Sequence, residues 1–443
     1  MRIEHVTNAS FVFHLADGRT ILSDPWYTDG IYLGGLFNYP PLKPETRTRY
    51  LGLKPDFLYI SHFHGDHLDP PSLAHYPKST PVLIGRFARP ALKAAISAVG
   101  FTDIRQLEFD QMVDLGGGVE VCIFRQFALA SDFPDEDGEQ HAVDTSILIR
   151  DGDGATVFFC VDNPIQMENA AAIRERFGPP DVAILPYAGA SIYPFVFRAY
   201  SEEEKGRRAA TLREARLEKM CRIAEAMGAR SVIPAAGAFV LGGPIAHHAR
   251  YQHQPAPGEI EAFWRESGMT QTLHLMATGD VLDTASGTIA QDPAAPDRWF
   301  TEADRLAYAT SIAKPSPLEQ IRMPVRVGWR GLVAAARARV WREQEDSGLK
   351  LAHDVILKVR GTEDVPLPDA GLSFRLALDE PTVATGDARS GRDFTRFHMD
   401  AALLLVILTG GTYWNIAEYF MEIDREPDRH APGVHSLLSF FRI

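Results

Sequence analysis

The sequence predicts an α/β fold, in which sheets form a sandwich with helices on its outer faces, followed by a smaller α+β domain. Short strands come first and then alternate with helices over residues 1–250, which is typical of a layered α/β domain. The pattern changes after a polar, proline-containing stretch at residues 253–259. Apolar residues make up 45% of the 443 residues, enough to build sizeable cores. We therefore expect a first domain over residues 1–255 and a second domain over residues 256–443.

The first domain begins with three predicted strands, because apolar and polar residues alternate and Asp17-Gly18 marks a turn. A long helix over residues 201–228 begins with Ser-Glu-Glu-Glu and ends at a glycine, which are common helix boundaries. A shorter helix is predicted over residues 90–99. The predicted strands cover residues 3–6, 10–15, 20–23, 57–60, 81–85, 119–124, 145–149, 156–161, 182–185 and 231–234.

The second domain combines helical and strand-rich segments in a different order. A strand-rich piece over residues 355–378 stands between helices, and an apolar helix is predicted over residues 398–408, followed by a segment at 413–422. The remaining predicted helices cover residues 257–267, 301–312 and 325–344. None of these segments contains a catalytic motif.

Charge and composition exclude several classes of protein. The chain has 45 Lys and Arg against 58 Asp and Glu, a formal charge of −13, and an acidic chain without a basic block is not typical of proteins that bind nucleic acid or an anionic membrane. The longest apolar run, residues 401–408, is shorter than the roughly 20 residues of a membrane span. The start has no signal-peptide pattern, and the three cysteines lie far apart. We expect a cytoplasmic protein with reduced thiols.

The segment Ser61-His62-Phe63-His64-Gly65-Asp66-His67 carries the clearest chemical pattern, because three imidazoles and a carboxylate directly follow a buried strand. Alternate residues of an extended segment point the same way, so His62 and His64 can bind one cation together. Gly65 allows the chain to turn Asp66 and His67 toward a second cation. A divalent metal with an open coordination position can polarise water or an oxygen species.

Two metals need more ligands than one loop supplies. Asp162 ends an apolar strand, and a carboxylate at that position can bridge two cations. His141, just before a strand, is the favoured third ligand of the first metal, with Asp144 or Asp132 as substitutes. For the second metal, the last ligand is one of three later histidines or none of them: His247, His248 and His253.

These residues resemble the metallo-β-lactamase superfamily. The likeness rests on the His-x-His-x-Asp-His loop after a strand, the earlier Asp24-Pro25-Trp26 and the strand-end Asp162. It implies an αββα sandwich in which one metal is held by His62, His64 and His141. It also implies that Asp66, His67 and a later residue hold the other metal, with Asp162 bridging. Asp24 would orient a liganding histidine, as residues behind metal ligands commonly do.

A narrower likeness is to the metallo-β-lactamase-like part of the CMP-N-acetylneuraminate hydroxylase family. It is carried by residues 60–68, 161–163, 187–191 and 234–239, by His141-x-x-Asp144-Thr145 and by Trp414-Asn415. That family also has a Rieske iron–sulfur domain, which needs paired Cys and His ligands. No cysteine of this sequence stands in such a pair. If the protein activates O2, its electrons therefore come from a separate reductase or ferredoxin.

Two enzymatic functions and one non-enzymatic function follow from this pattern. The favoured hypothesis is a non-haem oxygenase or hydroxylase with two iron ions, which uses O2 as a co-substrate. The alternative is a zinc or manganese hydrolase of an ester, lactone or phosphodiester, because His and carboxylate ligands suit these metals as well. A binding protein without catalysis is the third hypothesis.

In both enzymatic hypotheses Asp66 and Asp162 are the catalytic carboxylates. The substrate is a small molecule, and the second domain is expected to cover the metal face and shape the substrate pocket. The candidate substrate contacts are Tyr187, Ser191 and Trp26.

Overall fold

The computed structural model describes residues 1–127, 143–189, 191–295, 298–321, 327–362, 365–367, 371–386, 391–428 and 432–443. The strands, in chain order, are β1 Arg2–Thr7, β2 Ser10–His14, β3 Thr20–Ser23, β4 Leu36–Asn38, β5 Phe57–Tyr59, β6 Val82–Gly85, β7 Ile104–Leu107, β8 Met112–Asp114, β9 Glu120–Phe124, β10 Ser146–Arg150, β11 Thr156–Phe159, β12 Val182–Pro186, β13 Ser231–Ala235, β14 Phe239–Leu241, β15 Thr272–Leu273, β16 Val281–Asp283, β17 Ile289–Ala290, β18 His353–Arg360, β19 Leu372–Ala377, β20 Val383–Thr385, β21 Asp393–Asp400 and β22 Glu422–Glu426.

The helices, in the same order, are α1 Ile31–Gly34, α2 Pro44–Leu51, α3 Pro70–Leu73, α4 Ala91–Val99, α5 Met167–Phe177, α6 Glu202–Met227, α7 Pro257–Glu266, α8 Glu302–Ser311, α9 Trp329–Ser347, α10 Ala401–Leu408, α11 Trp414–Ala417 and α12 Pro432–Leu438. Segments of 3-10 helix cover Gly243–Tyr251, Pro317–Gln320 and Glu418–Phe420.

Two large sheets of the described chain form the sandwich. The first has the strand order β17-β16-β1-β2-β3-β5-β6-β7 and the second has the order β15-β13-β12-β11-β10-β9-β8. Apolar side chains from both sheets pack into one buried cluster; for example, the rings of Phe11 in β2 and Phe159 in β11 lie 5.3 Å apart between centroids. This cluster is the core that holds the sheets together.

Helices cover the outer face of each sheet. Side chains of α2, α3 and α4 pack on the first sheet, while those of α5, α6 and α7 pack on the second. The long helix α6 begins after Ser201, whose hydroxyl accepts a hydrogen bond from the Glu204 amide at 3.2 Å, and ends at Gly228 with φ of 66°. These are the two helix boundaries that the sequence predicts. The predicted αββα arrangement is confirmed.

The sandwich extends beyond the predicted domain boundary at residue 255. Strand β15 pairs with β13 in the second sheet, and β16 pairs with β1 in the first. The reason is long-range pairing: these strands are two or three residues long, too short to leave a periodic signal, and their partners lie far away in the sequence. The observed sandwich therefore includes residues up to Ala290.

The second unit is built on a five-stranded sheet of the order β20-β19-β18-β21-β22. Strands β18 and β21 pair in parallel along eight residues, from His353 opposite Asp393 to Arg360 opposite Asp400. The predicted helix over residues 398–408 starts later than expected, because residues 398–400 complete β21 and the helix α10 begins at Ala401. The long α9 and the apolar α10 pack together in the core of this unit.

The buried Arg337 of α9 connects this helix to the end of β19 by hydrogen bonds. Its guanidinium donates to Gln344 Oε1 at 2.9 Å and to the backbone oxygens of Ala377 at 3.0 Å and Glu380 at 2.5 Å. We expect Arg337→Met to lower the free energy of unfolding by about 2–3 kcal/mol, because three acceptors lose their donor while one buried charge is removed. Urea unfolding followed by tryptophan fluorescence measures this change. The exposed Arg342→Met on the same helix is the control, and an equal loss in both variants would contradict the prediction.

Among the described residues, no helix combines the length and the apolar character that crossing a bilayer requires.

Candidate metal centre

The candidate metal centre lies where two parallel strands of the first sheet end. Strands β3 and β5 pair in parallel, with Ser23 opposite Tyr59, so the residues that follow each strand are neighbours. The Asp24 amide donates to the Tyr59 carbonyl at 3.0 Å. Both faces of β5 are buried, which fixes the position of the following His62. The carboxyl ends of strands in α/β sheets are where ligands commonly bind.

The first group of donors consists of His62, His64 and Asp144, whose ligand atoms all lie within 4.8 Å of one another. His62 Nε2 is 2.9 Å from His64 Nδ1 and 3.7 Å from Asp144 Oδ1. Ligands on one metal ion, each about 2.1 Å from it, are themselves separated by about 3–3.5 Å. Asp144 Oδ1 is buried and makes no hydrogen bond. A cation bound here would satisfy this oxygen.

The second group consists of His62, His67 and Asp162. His67 Nε2 lies 3.3 Å from Asp162 Oδ2, and this nitrogen is buried and makes no hydrogen bond. The rings of His62 and His67 are both fully buried, with centroids 4.2 Å apart. Burial and the two neighbouring histidines, His67 and His64, hold the pKa of His62 well below its usual range. His62 is therefore in the neutral form that binds a metal.

Asp24 fixes the orientation of the loop from behind. Its carboxylate accepts hydrogen bonds from the Ser61 amide at 2.8 Å and the Ser61 hydroxyl at 2.6 Å. Its Oδ2 lies 2.9 Å from His67 Nδ1. With Nδ1 held by this carboxylate, His67 directs Nε2 toward the second group. Histidine ligands in metal sites are commonly held this way.

The backbone is strained at two positions that determine the orientation of the Asp24 and Asp162 carboxylates. Asp24 has φ of 35° and Val161, directly before Asp162, has φ of 57°. A β-branched residue such as valine rarely adopts this left-handed conformation, which costs about 1–3 kcal/mol and occurs most often at functional sites. The two strained residues each stand just after the end of a strand, where the chain turns toward the donors.

Asp66 lies beside the second group and is held by Tyr32. The Tyr32 hydroxyl donates to Asp66 Oδ1 at 2.7 Å and accepts from the Gly65 amide at 2.6 Å. Asp66 Oδ2 is 3.5 Å from His67 Nε2. Burial alone would raise the pKa of Asp66, but His67, His64 and the Tyr32 hydrogen bond lower it below its usual range. Asp66 is therefore a carboxylate at neutral pH.

A cavity of about 780 Å³ opens in front of both groups, and His64, Asp66, Asp144 and Asp162 line one wall. The opposite wall comes from the second unit and includes Asn415, Glu418, Tyr419 and His435. Asn415 Nδ2 lies 3.4 Å from His64 Nε2, so the second unit reaches the donors themselves.

Residues 19–235 match the family model described as the beta-lactamase superfamily domain. This part of the chain is a beta-lactamase superfamily domain. The match ends at the last residue of β13 and includes the whole histidine loop, Asp24, Asp144 and Asp162.

Known proteins with similar sequences share only part of their length with this chain. A protein of Mycobacterium tuberculosis named as a Rieske 2Fe-2S iron-sulfur protein is 29% identical over 56% of this chain and 46% of its own length. Cytidine monophosphate-N-acetylneuraminic acid hydroxylase of Danio rerio is 24% identical over 64% of this chain and 46% of its own length. The chain thus spans about half the length of these relatives.

Among solved structures, isothiocyanate hydrolase from Delia radicum gut bacteria matches 64% of this chain and 98% of its own, with 17% identity and a TM-score of 0.46. A mutant of the CmlA beta-hydroxylase matches 63% of this chain and 53% of its own, with 19% identity and a TM-score of 0.42.

The beta-lactamase superfamily domain brings together five of the six predicted metal ligands: His62, His64, Asp66, His67 and Asp162. The sixth, His141, lies outside the described residues, as does its substitute Asp132. The other substitute, Asp144, completes the first group.

The three histidines considered for the second metal do not join either group. His247 and His248 stack on each other with ring centroids 3.9 Å apart, and His248 packs on Phe195. His253 is buried with both ring nitrogens unpaired. The reason is that the chain after β13 first forms β14 and then a 3-10 segment, which carries these residues away from the strand ends.

Of the three predicted substrate contacts, only Ser191 lines the cavity in front of the metal donors. Trp26 is fully buried in a hydrophobic cluster. Tyr187 lines a separate, smaller pocket of about 70 Å³. Both are large, mainly apolar side chains, and their burial in the core keeps them out of the cavity. Tyr32, Tyr419 and Asn415 line the cavity instead of Trp26 and Tyr187.

Proposed function

We propose that the protein is a metal-dependent oxygenase that uses two iron ions and O2 to hydroxylate or oxidise a small molecule. The observation that carries this proposal is the donor set, which faces a cavity: the first group combines two imidazoles with one carboxylate, and the second adds His67 and Asp162 beside it. Two histidines and one carboxylate with open positions are the ligands typical of non-haem iron oxygenases. The sequence similarity to a hydroxylase supports the same function.

In this proposal His62, His64 and Asp144 would hold the first iron, with His141 as a further ligand. His67 and Asp66 would hold the second iron, and Asp162 would be shared by the two. Iron held in this way would supply the one-electron chemistry by which O2 is reduced. Insertion of one oxygen atom into a C–H bond converts the other oxygen atom to water, and this consumes two electrons and two protons from outside the substrate.

The electrons come from a separate ferredoxin or reductase. The three cysteines of this chain, Cys122, Cys160 and Cys221, are all buried and free, and they do not form the paired Cys and His ligands of a Rieske cluster. The relatives named as Rieske proteins are about twice as long as their matched part. An iron–sulfur protein is therefore the class of partner that we propose.

The side chains of the second unit exclude water and hold protons. Glu418 is buried, accepts from Trp414 Nε1 at 2.7 Å and pairs with His435 at 2.5 Å. Burial would lower the pKa of His435, but the Glu418 carboxylate raises it above the usual value. Because both residues line the cavity, the protonated pair is a source of a proton on the wall opposite the donors.

Elemental analysis of protein purified without added metal, followed by O2 uptake after anaerobic reduction, tests this function. We expect about two irons per chain and consumption of O2 by the reduced protein. Zinc or manganese with no O2 uptake would contradict the proposal and favour the alternative, hydrolysis of an ester, lactone or phosphodiester.

A further inference from the structure

Helix α6 presents two cationic side chains, Arg216 and Lys219, to the cavity in front of the metal donors. They are three residues apart in one helix and therefore lie on the same face, about one turn from each other. Apolar side chains of the same helix, Leu212, Met220 and Ile223, line the cavity around them. The two positive charges thus stand in a largely apolar part of the wall.

Neither cation forms a side-chain hydrogen bond or a salt bridge within the part of the chain that the structure describes. Neighbouring arginines of the same helix are paired: Arg213 lies 2.8 Å from Glu259 and 3.2 Å from Glu302, and Arg222 pairs with Glu218. Arg216 and Lys219, which face the cavity, have no such carboxylate partner among the described residues. A partly buried charge without a partner costs free energy unless a ligand compensates it.

The directions of the pKa shifts of these two side chains indicate the same excess of positive charge. Burial lowers the pKa of Arg216 and of Lys219, and the Arg216 charge lowers the pKa of Lys219 further. An anion placed between the two side chains would remove this repulsion.

The carboxylates of the cavity have other partners. Asp162 is near enough to oppose the burial effect on the pKa of Arg216, but it belongs to the second donor group. Asp428 accepts from Arg425 at 3.1 Å, and Glu418 pairs with His435. These carboxylates therefore belong to a donor group or pair with other cations, and they do not compensate the positive charges of Arg216 and Lys219.

We propose that Arg216 and Lys219 bind an anionic group of the substrate, a carboxylate or a phosphate, beside the metal donors. This inference rests on the proposed function, since it takes the cavity as the substrate site. The fork of the Arg216 guanidinium suits two oxygens of one anionic group, and Lys219 adds a second charge. Gly189 allows this arrangement: a Cβ at this position would lie 3.1 Å from the guanidinium, so the loop after β12 runs against Arg216. An anion held here places the rest of the substrate toward Asp162 and the donors.

Calorimetric titration of the metal-loaded protein with inorganic phosphate, and separately with acetate, at constant ionic strength tests the proposal. We expect the Kd of at least one anion to rise about tenfold or more in Arg216→Met and in Lys219→Met, because each loses a charged hydrogen bond. Arg216→Lys, which keeps the charge but not the fork, should fall between the wild type and Arg216→Met. Arg222→Met, the same change on the same helix but outside the cavity, should leave the Kd unchanged.

Weakening of phosphate but not acetate binding would assign a phosphate subsite, and the reverse would assign a carboxylate subsite. Absence of binding in the wild type, or equal binding in all variants, would overturn the proposal, since an anion that binds the metals themselves would be retained in every variant. The metal content of protein purified without added metal distinguishes failure of the proposed function from failure of the anion subsite. Zinc in place of iron would contradict the oxygenase, whereas binding that is independent of residues 216 and 219 would contradict the anion subsite.

Discussion

Replacing His62 by alanine is expected to remove the first metal ion, to weaken binding of the second and to reduce activity to the uncatalysed background. His62 is the one residue that belongs to both donor groups, and its Nε2 lies 2.9 Å from His64 Nδ1 and 3.7 Å from Asp144 Oδ1. One imidazole nitrogen binds one cation, and this nitrogen is assigned to the first metal ion. Without it, the described part of the first group retains one imidazole and one carboxylate, too few to hold a metal tightly. The second metal is affected indirectly, because the His62 ring packs on the His67 ring with centroids 4.2 Å apart.

The measurement is metal content per chain of the purified variant, together with O2 uptake. His75→Ala is the matched control, because His75 is exposed in the segment that follows the histidine loop and belongs to neither group. Circular dichroism and thermal unfolding show whether the sandwich still folds. A folded His62→Ala protein with a full complement of metal would mean that the donors have been assigned incorrectly.

The substitution Asp24→Asn is expected to lower the affinity for the second metal by about 10–100-fold. This is the usual effect of changing a residue that hydrogen-bonds a metal ligand. The carboxylate of Asp24 accepts three hydrogen bonds, two from Ser61 and one from His67 Nδ1. An amide of the same shape has one oxygen and one NH2 group, so at least one of these three donors must face another donor. If the NH2 group faces His67 Nδ1, the proton of the ring moves to Nε2, and this nitrogen can no longer bind a metal.

Competition with a chelator measures the affinity for each metal. Asp280→Asn is a suitable control: Asp280 is also fully buried, accepts hydrogen bonds from the Ala277 and Asp292 amides and pairs with Arg298, but it is not a metal donor. We expect both variants to lose stability, by about 1–3 kcal/mol, and only Asp24→Asn to lose metal. Equal metal affinity in the two variants would show that Asp24 has no role in orienting His67.

The histidine loop could be predicted from the sequence because its ligands are close together. Four donors within six residues follow a buried strand, and the period of an extended chain already places His62 and His64 on one side. Asp162 could be found because it directly follows the end of a strand. The helix α6 was predicted by its serine and glycine boundaries, which act locally.

Residues whose role depends on distant contacts could not be predicted in the same way. The charges of Arg216 and Lys219 lie in a helix rich in Arg and Glu, where such residues are usually solvated, and only the three-dimensional structure shows that these two line the cavity. Asn415 is 351 residues from His64, so no sequence spacing connects them. The short strand β16 was missed for the same reason, since its pairing with β1 joins the two ends of the sandwich.

The position of β1 has a consequence for how the chain is made. This strand lies between β2 and β16, and Ile3 pairs with Leu282. At a synthesis rate of about 5–20 residues per second, the ribosome needs on the order of tens of seconds to deliver β16 after β1. During that interval one edge of β1 has no neighbour and can pair with another nascent chain. Efficient production of this protein should therefore depend on holdase chaperones or on slow expression at low temperature.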